Sequence, residues 1–188
     1  TANGFVQYVL ELEWLRVICL DTLQHGRHGG ALCELRAAWL KHQLNEAPDT
    51  PTLIVMHHPP VIVGIDWMDP RPHEAWIKRF TESIEGHAQI VGIACGHLHR
   101  TVSGSFGAVP VSITSAVAPA VSLDLRPVNF HEADGRGIVD AEPPGYGLHR
   151  WKDGKLVTHY QPVGDWTRLA VYAEHLVPMM EALDREKS

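Results

Sequence analysis

Two short apolar runs, each stopped by histidines, constrain this chain more than any other feature. Thr52-Leu-Ile-Val-Met56 runs into His57-His-Pro-Pro60, and Gln89-Ile-Val-Gly-Ile-Ala-Cys95 runs into Gly96-His-Leu-His-Arg100. Apolar runs this short and this rich in β-branched residues read as strands buried on both faces, the pattern of a parallel sheet. Proline cannot donate to a ladder and pushes its predecessor toward extended geometry, so the first strand must end at the histidines. A helix-period segment precedes each run. Ala31 to about Asn45 carries Leu32, Leu35, Trp39 and Leu40 on one face, and about Pro72 to Glu85 carries Trp76, Phe80 and Ile84. Strands alternating with helices define an α/β fold, and open α/β sheets place ligands beyond the C-terminal ends of their strands. Both histidine clusters lie there.

The flanking segments complete the expected architecture. Gly4 to Glu13 and Trp14 to Leu20 read as two further strands, ending at Asp21-Thr22. From Thr101 the texture turns to β: Thr101 to Phe106, Val109 to Ala116, and a hairpin Tyr146 to Tyr160 turned at Asp153-Gly154. These later strands are expected to form a second sheet packed face to face on the first, a two-sheet sandwich flanked by helices within one domain, 1–188. Residues 122–145 form a long loop rich in Pro, Gly, Asp and Glu, and such loops are often functional. Residues 167–184 place Leu169, Tyr172, Leu176, Met179 and Leu183 at helical spacing, so an amphipathic helix packed on the body or on a partner subunit is expected.

Composition narrows the partners. The formal charge is −6, and no cluster of Lys or Arg offers a footprint for a nucleic acid polymer or an anionic membrane. No apolar stretch approaches the roughly 20 residues needed to span a bilayer, and no basic segment followed by an apolar one opens the chain, so a cytoplasmic protein is expected. Cys19, Cys33 and Cys95 are odd in number and set in apolar surroundings, which predicts core thiols rather than disulfides. Thirteen histidines are many, but imidazole serves loops as readily as metals, so position has to decide.

Position favours the two clusters. In an extended stretch His97 and His99 share a face, whereas adjacent His57 and His58 point in opposite directions, so only one of that pair is expected to be a ligand. Imidazoles can simply satisfy backbone groups at strand ends. Two clusters in this order, each following an apolar strand, argue for a shared site instead. His25, His28, His42, His73, His87, His149 and His159 lack such pairing and are assigned no chemistry, with a reservation for the loop that holds Asn129 and His131.

The residues VMHHPP (Val55 to Pro60) and CGHLHR (Cys95 to Arg100), after LRVICLDT (Leu15 to Thr22) and AAWLKHQL, resemble the C-terminal half of a calcineurin-like metallophosphoesterase. GIDWMDP (Gly64 to Pro70) and PPGYGLHRW (Pro143 to Trp151) are most similar to the glycerophosphodiesterase and class III cyclic-nucleotide phosphodiesterase branch. That resemblance implies a two-metal phosphodiesterase acting on a small phosphodiester, either a glycerophosphodiester or a cyclic nucleotide. It selects His57 over His58 as a ligand, gives His97 to the same metal and His99 to the other, and leaves His58 to hydrogen-bond behind the ligands or to touch substrate. Two divalent ions of this kind bind the phosphate and acidify a water, and imidazole suits Zn, Fe, Mn or Co. Arg100 is expected to offset phosphate charge or to form a surface ion pair. The family's D-x-H, G-D-x-x-D and G-N-H-[DE] motifs do not precede the opening strand, so the bridging carboxylate and the first half of the sandwich are expected to be missing here. A half-fold exposes sheet edge and apolar surface, which predicts a homo-oligomer. The reading from a different class is a non-catalytic remnant serving as an oligomerisation or metal-binding module.

Overall fold

The computed structural model describes residues 4–187. The apolar runs form the middle of a six-stranded sheet built from β1 (Tyr8–Glu11), β2 (Arg16–Leu20), β3 (Thr52–Met56), β4 (Ile90–Cys95), β5 (Val102–Phe106) and β6 (Val109–Ile113). The spatial order is β1-β2-β3-β4-β6-β5. β2, β3, β4 and β6 run parallel, with β1 and β5 antiparallel at the two edges. The fold is therefore mixed α/β, as the strand and helix alternation predicts.

Alternation along the strands divides the core in two. Ile18, Leu20, Ile54, Met56, Ile93 and Cys95 face α1 (Glu34–Glu46) and α2 (Ala75–Ile84), packing with Leu40, Leu44, Trp76 and Phe80. Phe80 is fully buried, and a side chain of this size contributes about 2–3 kcal/mol by leaving water. The helices start later than the sequence periodicity suggests. α1 buries Arg36, Leu40 and Leu44, while Leu35 is 60% exposed and Leu32 packs from the preceding loop.

The opposite face carries a smaller cluster of Leu15, Leu53 and Ala94, against which Trp151 and Leu156 pack. Those two residues belong to the hairpin that follows β7 (Ala120–Val121) and β8 (Val139–Asp140), namely β9 (Gly145–Lys152) and β10 (Lys155–Pro162). Asp153 and Gly154 both have positive φ, 51° and 72°, which is the two-residue turn whose twist matches the paired strands. Gly92 admits the hairpin closely, since a Cβ there would lie 2.9 Å from Leu156 Cδ2.

The expected second sheet is thus smaller than the sequence suggests. β5 and β6 join the first sheet, because β6 pairs along the otherwise open edge of β4 and buries Val111 and Ile113. Among the described residues the hairpin supplies the second layer, and β7 and β8 form a separate two-stranded sheet. The long loop is pinned near its ends by β7 pairing with β8, and Arg136 ties its interior by donating to the Arg126 and Pro127 carbonyls at 2.8 Å. In the tail, a 3-10 turn (Glu174–Leu176) leads into α3 (Val177–Arg185), which buries no residue, and Leu169 is 96% exposed. Among the described residues no helix is long and apolar enough to cross a membrane.

Candidate metal centre

The C-terminal ends of β2, β3 and β4 converge on one group of imidazoles. The amide of Gly96 donates to the carbonyl of His57 at 3.1 Å, which draws together the loops leaving β3 and β4. His57 Nε2 and His97 Nδ1 then lie 3.3 Å apart. His57, His58 and His97 each place a ligand atom within 4.8 Å of the others.

Strand alternation does not extend to these positions. Residues 57 and 58 lie past the end of β3, so their rings need not diverge, and the His58 ring centroid lies 4.7 Å from that of His57 and 4.6 Å from that of His97. His97 and His99 are not extended either, with φ of 72° and 51°. Left-handed backbone in residues other than glycine costs of order 1–3 kcal/mol and gathers at functional sites. Here the anchor is Leu98, which is 1% exposed and accepts a hydrogen bond from the Val121 amide at 3.1 Å.

Each histidine has a distinct bonding state. Both His58 ring nitrogens are engaged within the protein: Nε2 is 3.2 Å from the His28 carbonyl, to which it donates, and Nδ1 is 2.8 Å from Thr22 Oγ1. Thr22 stands just past the end of β2. A buried imidazole held at both nitrogens braces its neighbours more readily than it ligates. His99 shows the opposite arrangement. Its Nδ1 donates to the Pro119 carbonyl at 3.0 Å, which leaves Nε2 as the nitrogen with a free lone pair, the usual state of a ligating imidazole.

Burial keeps the cluster neutral. It lowers the His97 pKa to about 3, helped by the neighbouring imidazoles of His58, His57, His28 and His99. Burial and then His57 lower His58 to about 4. His57 is lowered by burial, with His99 and His28 adding to the effect. Metal binding requires neutral imidazole, so the site is already in the competent protonation state at neutral pH. The geometry fits an ion too, because two nitrogens about 2.0–2.1 Å from one tetrahedral metal lie about 3.3–3.4 Å apart. Among the described residues the group contains no carboxylate.

Sequence reasoning missed His28. Its ring centroid lies 5.0 Å from that of His97 and stacks at 6.5 Å on Trp67, while its Nε2 lies 3.4 Å from Met68 Sδ. Its spacing in the sequence gives no signal of this; two residues on, Gly30 packs so closely that a Cβ would come within 2.9 Å of both His58 Cβ and Trp76 Cζ2. Trp67 also borders a cavity of about 540 Å³ with Val128, Phe130, His131 and Ile138, which brings the reserved loop close to the imidazoles. Asn129 lines the same cavity, and its Oδ1 accepts the His131 amide at 3.1 Å. Arg100 is a brace: its Nε donates to the Val121 carbonyl at 2.8 Å and its guanidinium pairs with Glu142. Cys95 is a core thiol as expected, whereas Cys19 and Cys33 are only half-buried.

A mixed sheet whose parallel central strands end in neutral, converging imidazoles defines a metal-competent α/β protein. No family model matches the chain, but curated relatives do. It is 33% identical over 163 residues to a probable glycerophosphodiester phosphodiesterase of Arcobacter nitrofigilis, covering 86% of this chain and 58% of the relative. It is 36% identical over 165 residues to a probable cyclic nucleotide phosphodiesterase of Rhodopseudomonas palustris, covering 84% and 56%. A 3',5'-cyclic adenosine monophosphate phosphodiesterase of Vibrio vulnificus is 26% identical over 155 residues, covering 82% and 53%. By sequence the chain is similar, over most of its own length, to these relatives named as glycerophosphodiester and cyclic-nucleotide phosphodiesterases. It spans little more than half the length of the relatives it matches.

Proposed function

We propose that this chain supplies the imidazole side of a two-metal centre that hydrolyses small phosphodiesters. The observation that carries the reading is the 3.3 Å approach of His57 Nε2 to His97 Nδ1 at the joined ends of β3 and β4. His57 and His97 hold one divalent ion, and His99 presents Nε2 to the second. Two such ions, whether Zn, Fe, Mn or Co, supply charge stabilisation at the phosphate and an acidified water. His58 holds the wall behind the ligands through Thr22 and the His28 carbonyl. Trp67 and the loop bearing Phe130 and His131 offer a partly apolar cavity for the alcohol portion of the diester.

Because the matched relatives are longer than this chain, carboxylate ligands contributed from outside the 188 residues would complete the centre. The names of the relatives support glycerophosphodiesters or cyclic nucleotides as substrates. The apolar residues exposed along the tail, among them Tyr172, Met179 and Leu183, support a homo-oligomer.

The test is hydrolysis of bis(p-nitrophenyl) phosphate by the protein encoded by the whole reading frame, after chelation and reloading with each candidate metal. Activity should return with metal and should fall by more than about a hundredfold in His57→Ala, His97→Ala and His99→Ala, as expected when a ligand is removed. Metal-independent turnover, or full activity in His97→Ala, would overturn the reading.

A further inference from the structure

A second cleft lies on the helical side of the sheet, between the N-termini of α1 and α2. It measures about 330 Å³, and its walls include Arg27, Cys33, Arg36, Glu74, Trp76 and Arg79. Two buried donors there have no partner: Nε of Arg36 and Nε1 of Trp76, each residue 4% exposed. The other arm of Arg36 is committed, its Nη1 donating to the carbonyls of Asp21 at 3.1 Å and Leu23 at 2.8 Å. A buried N–H without an acceptor costs about 1–3 kcal/mol. Both residues line the same cleft, which points to a missing acceptor there.

The surroundings favour an acceptor with negative charge. α2 has no side-chain cap at its N-terminus, and at α1 only the weakly accepting Cys33 thiol stands near the Leu35 and Arg36 amides. The first bond within α1 runs from the Ala37 amide to the Cys33 carbonyl, so the amides before it lack helical partners. Uncapped helix starts carry partial positive charge and bind anions. The cleft walls carry three guanidinia and one carboxylate, and a second carboxylate, Asp21, lies 3.5 Å from Arg36 Nη1 behind the wall. Glu74 neutralises Arg27 at 2.5 Å, whereas Arg79 is only loosely paired, 3.9 Å from a Glu34 carboxylate that is 89% exposed. The Cys33 thiol senses the same field: burial alone would raise its pKa, yet hydrogen bonds from Arg36 and Leu35 and the Arg36 charge lower it.

We propose that this cleft binds a small oxyanion, the phosphate or carboxylate group of a ligand, at a site separate from the histidine cluster. Arg36 Nε and Trp76 Nε1 donate to it from within, and Arg79 closes over it from the rim. Gly30 lies between His58 and Trp76, since a Cβ there would come within 2.9 Å of both His58 Cβ and Trp76 Cζ2.

The indole N–H of Trp76 is the reporter. In chelator-treated, 15N-labelled protein, inorganic phosphate, sulfate and acetate are titrated separately while the six tryptophan indole signals are followed. Trp76→Phe identifies the signal by its loss, and backbone-linked assignment of the unsubstituted protein replaces that step should the variant not fold. A saturable shift of the Trp76 signal with phosphate and sulfate assigns a tetrahedral oxyanion, and one with acetate assigns a carboxylate. Arg79→Gln, at a side chain 36% exposed, should weaken binding about tenfold, the equivalent of one charge-assisted hydrogen bond. His97→Ala should leave the titration unchanged. A Trp76 signal that never moves, one that ignores Arg79→Gln, or one abolished by His97→Ala overturns the proposal.

Discussion

Mild acid should destabilise the metal-free protein, and the loss should trace to two buried imidazoles. Free histidine titrates near pH 6.5, while His97 is lowered to about 3 and His58 to about 4, chiefly by burial. Above pH 6.5 both are neutral in the folded and unfolded states and contribute no difference. As pH falls below 6.5 the unfolded chain takes up protons that the folded chain refuses, so stability declines by about 1.4 kcal/mol per pH unit for each group. At about pH 5 the two together remove about 4 kcal/mol, a large part of the 5–15 kcal/mol typical of a domain. The decline should flatten first for His58 near pH 4 and then for His97 near pH 3, where the folded state also accepts the proton. Asp124 and Asp134 are held low by Arg126 and Arg136 and titrate below the main window. Urea denaturation in the presence of chelator, from neutral pH to about pH 5, measures the slope as protons taken up on unfolding. His97→Asn should remove about one proton from it. An unfolding midpoint that does not move with pH, or a His97→Asn slope equal to that of the unsubstituted protein, would refute the reasoning.

Three further outcomes follow from the same geometry. Phe80→Ala, at a fully buried ring between α2 and the sheet, should cost about 3–5 kcal/mol in urea denaturation through the cavity it leaves. His58→Ala should lower metal affinity about 10–100-fold in a competitive chelator titration while His57→Ala loses more, because His58 orients its neighbours through Thr22 and the His28 carbonyl. Gly154→Val, at φ 72° in the β9–β10 turn, should cost about 1–2 kcal/mol, read as a lower thermal midpoint and faster hydrogen exchange confined to the hairpin.

The sequence by itself determined the central strands and the place where chemistry would gather. Runs such as Leu53 to Met56 have one sterically and hydrophobically consistent reading, and the prolines after His58 end the strand wherever it is placed. The Asp153-Gly154 turn is equally local, because the left-handed conformation it adopts is a property of those two residues. Tertiary structure decided the rest. The assignment of β5 and β6 to the first sheet depended on which edge was vacant, and an edge is a relation between strands far apart in the chain. The period-2 rule separates His57 from His58 and unites His97 with His99, but it applies only while the backbone stays extended. At 57 and 58 the strand has ended, and at 97 and 99 the chain turns left-handed around buried Leu98. His28 reached the cluster from a loop whose place depends on packing, its ring 5.0 Å from that of His97. Whether an imidazole faces an ion or a carbonyl is settled by its second nitrogen, and the partners of those nitrogens, Thr22, the His28 carbonyl and the Pro119 carbonyl, come from distant loops brought together by packing.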